Sequence, residues 1–137
     1  MREISDGNPE KVRAYIPESY IPQTQLRIDL YRRLSMASSE RELDALLAEA
    51  KDRFGALPDP VKFCFYAERI RVLAEAAGAL GVEAQGERLK VLLPAPNGGE
   101  YARIGGHFPI LTKRRAVAKL QEIEKFLKYT LPSIRKQ

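Results

Sequence analysis

The sequence has a single cysteine, a single histidine and no tryptophan. Cys64 alone cannot form an internal disulfide bond, and Cys64 with His107 is a poor ligand set for zinc. The longest apolar runs are far shorter than the roughly 18 residues that a membrane-spanning helix needs. No apolar stretch follows the early charges of the N-terminus, as it would in a secretory signal. We therefore expect a cytoplasmic protein with no membrane segment, no structural metal and no bound cofactor.

Length and charge indicate a small globular protein with one basic end. Its 137 residues, 45% hydrophobic and 30% charged, fit a single domain, 1–137, in which 1–13 and 133–137 are expected to be loose. The net charge is +5, but residues 101–137 alone hold nine Lys and Arg against two Glu. A basic end can meet nucleic acid or an acidic protein face, and composition does not choose between them.

Three helices are predicted in the first half of the chain. An extended segment bracketed by Pro17 and Pro22 leads into a helix from Gln23-Thr24 to about Met36. Ser39 with Glu42 forms a capping box for a second helix, which Gly55 ends. A third helix is predicted to begin with Asp59 as the N-cap and Pro60 at the first position, and to fray at Gly78 or end at Gly81. Its apolar stripe is predicted to be Phe63, Tyr66, Ile70, Leu73, Ala77 and Leu80.

After Gly81 the pattern changes to short strands. Val82–Ala84 and Leu89–Leu93, separated by Gln85-Gly86-Glu87, predict a hairpin, with further short strands around Gly105-Gly106. Thr112 is expected to cap a last helix that ends at Leu131-Pro132. Its inward residues are Ala116, Leu120, Ile123 and Leu127, and its lysines point outward. The fold class is α+β, with three N-terminal helices, a small antiparallel sheet and a C-terminal helix.

The residue patterns of enzymes are missing from this sequence. Gly98-Gly99 and Gly105-Gly106 lack the spacing of a phosphate-binding loop. Cys64, between two phenylalanines in a helix, is expected to be buried and inert, and His107 is expected to be a loop residue. We therefore expect no catalytic activity from these residues.

One charged cluster stands at the end of the second helix. Glu49 and Arg53 are one turn apart and Asp52 lies beside them, so the three side chains form one patch. On spacing alone, the patch is best explained as an intrahelical Glu49 to Arg53 pair worth a few tenths of a kcal/mol.

Several segments together resemble a known family. They are Tyr15–Pro22 (YIPESYIP), Arg27 with Leu30–Leu34 (LYRRL), and Asp52–Pro58 (DRFGALP). In order and spacing they resemble, from about residue 14 to 82, the C-terminal domain of bacterial transcription-repair coupling factors. Past residue 94 the likeness fades.

The resemblance implies a role in a larger protein. Members of this family are ATP-dependent translocases on double-stranded DNA that displace stalled RNA polymerase and recruit the repair protein UvrA. Their C-terminal domain docks on the N-terminal UvrB-like module and restrains the motor, whose ATPase motifs lie outside this domain. The positions that match the family's docking patch are Glu49, Asp52 and Arg53, so the resemblance implies an interdomain binding site there.

The basic end suggests a different function, that of a nucleic-acid-binding module. Lys113, Arg114 and Arg115 at the start of the last helix, with Lys119, Lys125 and Lys128 along it, could neutralise several phosphates. Few aromatic residues accompany them for base stacking. Both functions stay open from the sequence.

Overall fold

The computed structural model describes residues 2–4 and 12–135, which form two compact units. Residues 2–4 and 12–72 belong to the first unit and residues 73–135 to the second. The architecture is α+β, as predicted. Of the two segments predicted to be loose, residues 1, 5–11 and 136–137 lie outside the described residues.

The first unit consists of a short strand pair and three helices, the helices being those the sequence predicts. The elements are β1 (Arg2–Ile4), β2 (Val12–Ala14), α1 (Thr24–Met36), α2 (Glu40–Phe54) and α3 (Asp59–Ala76), whose last turn belongs to the second unit. Strands β1 and β2 run antiparallel with Glu3 opposite Arg13. This strand pair differs from the expectation that residues 1–13 are loose.

The start of α2 confirms the predicted capping box. The Ser39 hydroxyl accepts a hydrogen bond from the Glu42 backbone N–H at 3.1 Å. The Glu42 carboxylate in turn accepts from the backbone N–H of Ser38 at 2.8 Å, one residue earlier than the usual partner. The reciprocal pair satisfies two N–H groups that the helix itself cannot satisfy.

The junction between α2 and α3 differs slightly from the prediction. Gly55 ends α2 with φ +90°, a backbone angle that glycine adopts without steric cost. The Pro58 carbonyl accepts from the N–H groups of Val61 and Lys62, so α3 begins at Asp59 and is not capped by it. Pro60 still lies in the first turn, where its missing N–H leaves no hydrogen bond unmade.

More sides of helix α3 are buried than the predicted apolar stripe covers. Phe63, Cys64 and Phe65 are consecutive and all buried, because this helix runs through the core and is not laid on its surface. The burial of Cys64 confirms its prediction. The helix ends at Ala76 with Gly78 at φ +76° and a hydrogen bond from Ala79 to Ala74, a Schellman ending. Leu80, assigned to the stripe, lies beyond the helix and is 58% exposed.

The second unit contains a three-stranded antiparallel sheet in the order β3 (Gly81–Gln85), β4 (Arg88–Leu93), β5 (Glu100–Tyr101). The predicted hairpin is confirmed, and Gly86 at φ +59° is its first turn residue. Leu89 and Val91 are fully buried on one face of β4. Side chains on the other face are more exposed, so the sheet has one core face and one outer face.

The C-terminal helix follows as α4 (Ala116–Lys125), a π-helical turn (Phe126–Thr130) and α5 (Leu131–Arg135). The four residues predicted to face inward are buried: Ala116, Leu120, Ile123 and Leu127. The predicted end at Leu131-Pro132 is wrong. A wide π turn, in which Leu131 donates to the Phe126 carbonyl, precedes Pro132 and leaves room for its ring.

Two further predictions for this helix are wrong. Thr112 does not cap it, because the backbone N–H and hydroxyl of Thr112 both donate to the Glu122 carboxylate, at 2.8 and 2.7 Å. The lysines do not all point outward, since Lys119 is only 5% exposed. Lys119 lies three residues after Ala116 and four before Ile123, and this spacing places it on the buried face.

Candidate functional site

The extended segment before α1 is fastened to that helix by two of its side chains. The backbone N–H of Ile16 donates to the Tyr31 hydroxyl at 2.6 Å. The Arg27 guanidinium donates to the carbonyl groups of Ile21 and Pro22 at 2.8 and 2.9 Å. These bonds satisfy backbone groups of a segment that has no strand partner of its own, so these residues of the family-like pattern serve the fold.

Tyr20 fastens the same segment to the end of α2. Its hydroxyl donates to the carbonyl groups of Gly55 and Ala50, at 2.9 and 3.2 Å. Its ring meets the Phe54 ring edge-on, with 5.9 Å between the centroids. Burial raises the pKa of the Tyr20 hydroxyl above its ordinary value of 10.0. The last turn of α2, where the charged patch lies, is therefore held from outside the helix.

Glu49, the first residue of the patch, is bound mainly by an arginine of α1. Both guanidinium nitrogens of Arg33 donate to its carboxylate, Nη1 to Oε2 and Nη2 to Oε1, the second at 3.1 Å. The hydrogen bonds from Arg33 lower the pKa of Glu49 and raise the pKa of Arg33. This bidentate pair connects α1 to α2, so Glu49 is held in one orientation.

Arg53 and Asp52, the other two residues of the patch, are more accessible to a binding partner than Glu49. Arg53 Nη1 lies 3.5 Å from Glu49 Oε2, and the Arg53 guanidinium carbon lies 4.9 Å from the centroid of the Phe54 ring. The Arg53 side chain is 44% exposed. Asp52 is exposed and, among residues 2–4 and 12–135, its carboxylate forms no ion pair or hydrogen bond. The patch thus has one internally bound acid beside an exposed acid and an exposed base.

The sequence predicts the three residues of the patch but not the residue that supports them. Spacing predicts only the intrahelical pair between Glu49 and Arg53, which the structure does contain. The stronger partner is Arg33, whose Nη1 also lies 3.8 Å from Asp29 Oδ2. The signal for this partner is the LYRRL segment, whose second arginine lies one turn after Asp29.

The basic segment lies differently from its prediction. Lys113, Arg114 and Arg115 precede α4, which begins at Ala116. The Glu122 carboxylate accepts from the Lys113 backbone N–H at 3.0 Å, as well as from Thr112. Burial raises the pKa of Glu122, but the hydrogen bonds from Thr112 and Lys113 outweigh burial and leave the pKa below its ordinary value. The negatively charged carboxylate of Glu122 is therefore held against the start of the basic segment.

Other candidate chemistry is located but not assembled. His107 directly follows the two-residue turn Gly105-Gly106, which hydrogen bonds between His107 and Ile104 close. Within the described part of the chain, no three His, Cys, Asp or Glu side chains gather as metal ligands would. No helix there is long and apolar enough to cross a bilayer.

Comparison with known proteins gives a consistent family. The model of the family described as the TRCF domain matches residues 11–104. The transcription-repair-coupling factor of Mycobacterium bovis is 42% identical to the chain over 73 residues, which are 53% of the chain and 6% of that protein. That of Escherichia coli is 35% identical over 68 residues, 50% of the chain and 6% of that protein. The chain thus covers only a small part of these relatives.

A solved structure extends the likeness to nearly the whole chain. The crystal structure of the C-terminal domain of transcription-repair coupling factor superposes with a TM-score of 0.70, covering 91% of this chain and 90% of that one. Sequence identity is 16%, so this match supports the fold and not the function. The likeness in fold therefore continues past residue 104, where the match to the family model ends. The chain belongs to the TRCF domain family.

Proposed function

We propose that this chain is a regulatory interaction domain of a transcription-repair coupling factor. It docks through Asp52 and Arg53 on the UvrB-like N-terminal module of that protein and restrains its motor. Through the parent, a DNA translocase with ATPase activity, it is linked to UvrA, RNA polymerase and DNA. The observation that carries the proposal is the exposed Asp52 carboxylate beside Arg53, on a helix end that Tyr20, Arg33 and Glu49 hold rigid.

The rigid support matters because charged contacts at an interface act mainly through geometry. An acid and a base one residue apart can pair with a base and an acid of a partner in only one register. Tyr20 and the Arg33–Glu49 pair hold the helix end that carries them, so docking has to order only the two side chains and not the backbone. Glu49 is already bound to Arg33, so its role in docking is to position Arg53 and not to contact the partner.

A restraining domain must also be able to let go. A closed and an open state that interconvert differ by only a few kcal/mol, so losing one interfacial charge can move the balance substantially. An exposed contact made by two charged side chains suits such a reversible restraint better than a large apolar surface, which would hold the closed state permanently.

Binding of the 137-residue chain to the UvrB-like module, measured by calorimetry, tests the proposal. Asp52→Ala and Arg53→Ala are each expected to weaken binding at least about tenfold, because each leaves a partner charge unpaired at the interface. Arg41→Ala is the matched control, since Arg41 is an exposed arginine at the other end of α2 with no ion pair in the described residues. The control is expected to bind like the wild type.

The same variants test the restraint. Introduced into the full-length parent, Asp52→Ala and Arg53→Ala are expected to raise its basal ATPase rate, whereas Arg41→Ala leaves it unchanged. Wild-type affinity in both patch variants would refute the docking site. Weakened docking without a change of ATPase rate would refute the restraint and leave a passive docking platform.

A further inference from the structure

The outer face of the sheet in the second unit carries two aromatic rings surrounded by positive charges. The rings of Tyr101 and Phe108 meet edge-on, with 5.7 Å between centroids. Lys90 Nζ lies 5.5 Å from the Tyr101 centroid and 5.4 Å from the Phe108 centroid. The Arg103 guanidinium carbon lies 4.5 Å from the Phe108 centroid. We call Arg88, Lys90, Tyr101, Arg103 and Phe108 the aromatic platform.

Strand register brings β4 and β5 residues of the platform to one face. Tyr101 is paired with Leu92, and directly paired residues of antiparallel strands share a face. Because side chains alternate along a strand, Arg88 and Lys90 lie on that same face of β4, opposite the buried Leu89 and Val91.

A glycine turn supplies the other two platform residues. Gly105 and Gly106 both have positive φ, +58° and +83°, which is the requirement of a type I′ turn. The turn pairs Ile104 with His107, and Arg103 and Phe108 are the next residues outward on its two sides. The guanidinium carbon of Arg103 lies 4.5 Å from the centroid of the Phe108 ring. The pair Gly105-Gly106, which carries no phosphate-loop signal, thus serves to build the platform.

The platform is open to solvent and borders a hollow. Tyr101 is 40% exposed, and Arg88 and Arg103 are exposed as well. A hollow of about 520 Å³ is lined by Arg88, Arg103, His107, Phe108 and Ile110. That volume falls within the roughly 300–1,000 Å³ of sites that hold small organic groups.

The positive charges of the platform have no acidic partner among the described residues of the chain. In the described part of the chain, Arg88, Lys90 and Arg103 form no ion pair with a carboxylate. Glu83 stands opposite Lys90 on β3, so the outer face combines three cations with one acid. A ligand that has both negative charge and flat π surfaces would therefore complement the cations and the rings at the same time.

We propose that the aromatic platform binds single-stranded nucleic acid. Bases stack on Tyr101 and on the Arg103–Phe108 pair, while Arg88, Lys90 and Arg103 contact phosphates. A duplex hides its base faces, and the carboxylates of an acidic peptide carry no rings of their own, whereas in a single strand every phosphate comes with a base that can stack. This site differs from the basic segment Lys113–Arg115, which has no such rings and holds the Glu122 carboxylate.

Fluorescence anisotropy of the whole 137-residue chain with labelled oligothymidylate and oligouridylate of about 12 nucleotides tests the proposal. Salt-sensitive binding of one or both strands is expected, and the comparison of the two shows whether DNA or RNA is preferred. Tyr101→Ala is expected to weaken binding roughly 5- to 150-fold, the loss of one stacked base, whereas Tyr101→Phe keeps the ring and the affinity.

Salt dependence separates the two kinds of contact. Arg103→Gln is expected to lower the slope of log K against log salt by about 0.7, the share of one phosphate contact to a single strand, whereas Tyr101→Ala leaves the slope unchanged. Tyr129→Ala is the matched control, because Tyr129 is 64% exposed and has Lys128 5.7 Å from its ring. Circular dichroism establishes that each variant is folded.

Four results would overturn the proposal. They are no binding of either strand at low salt, equal weakening by Tyr129→Ala and Tyr101→Ala, equally tight binding of a duplex of the same length, and equally tight binding of oligoglutamate of matched charge. The last two would show that charge alone is recognised.

Discussion

Replacing Tyr20 with phenylalanine tests how the end of α2 is held. The change removes only the hydroxyl, which donates to the carbonyl groups of Gly55 and Ala50, and keeps the ring against Phe54. One hydroxyl hydrogen contributes a net stabilisation of about 0.5–1.5 kcal/mol. The shorter bond, to Gly55 at 2.9 Å, carries most of it, since the Ala50 carbonyl lies within a helix. For a chain of this size, about 1 kcal/mol corresponds to a melting temperature lower by roughly 3–5 °C.

The pKa of Tyr20 adds a second, pH-dependent signature. Burial raises the pKa of its hydroxyl in the folded state above the ordinary value of 10.0, so folding favours the protonated form. The stabilisation is therefore complete below about pH 10 and is lost as the pH rises through the folded pKa. Phenylalanine at position 20 cannot titrate, so the stability difference between wild type and variant is expected to shrink as the pH rises above about 10.

Thermal and urea unfolding followed by circular dichroism measure both effects. Tyr129→Phe is the control, because the 64% exposed Tyr129 is expected to give no loss at neutral pH. The two proteins differ only at residue 20, so the difference between their stabilities is compared at each pH and not either curve alone. A Tyr20→Phe variant as stable as the wild type, or a stability difference that stays constant up to about pH 11, would refute this reasoning.

Two further predictions concern the same region. Glu49→Gln is expected to cost about 0.5–1 kcal/mol, a small value because both partners of the Arg33 pair are more than a third exposed. Since the pKa of Glu49 is lowered in the folded state, the wild type holds this stability above about pH 4.5 and loses it as the pH falls through the folded value. Urea unfolding at several pH values measures this. Equal pH dependence of stability in the wild type and the variant would contradict it. Gly55→Ala is expected to cost about 1–3 kcal/mol, because φ +90° with ψ −169° suits glycine almost alone. Gly81→Ala, at an angle other residues adopt and with open space around it, is expected to be nearly neutral, and equal losses in the two glycine variants would show that backbone strain is not the cause.

Local signals account for the parts of the fold that the sequence predicts well. The Ser39 capping box and the stop at Gly55 each depend on residues close together in the chain, and the hairpin around Gly86 depends on its turn. The structure confirms all three. The residues that identify the family do so for a similar reason, since Tyr20, Arg27 and Tyr31 fasten one short segment to the neighbouring helices.

Partners distant in sequence account for what the prediction misses. Thr112 has the residue type of a cap, but the Glu122 carboxylate ten residues later takes its hydrogen bonds. Glu49 has a base one turn away at Arg53, yet Arg33, sixteen residues earlier, binds it more closely. Periodicity places Lys119 on the inner face, but its charge argues the other way, and only the packing decides between the two.

The π-helical turn at Phe126–Thr130 bears on how this family tolerates changes of length. A turn closed by i to i+5 hydrogen bonds holds one residue more than an α-helical turn. Deleting the exposed Lys128 would bring Leu127 and Leu131 from four to three residues apart, and either spacing keeps both on one buried face. A deletion within Ala116–Lys125 would instead rotate all that follows by about 100° and bury the wrong side chains. In evolutionary terms, single-residue gaps between homologues are expected to collect in this turn and to be absent from the helix before it.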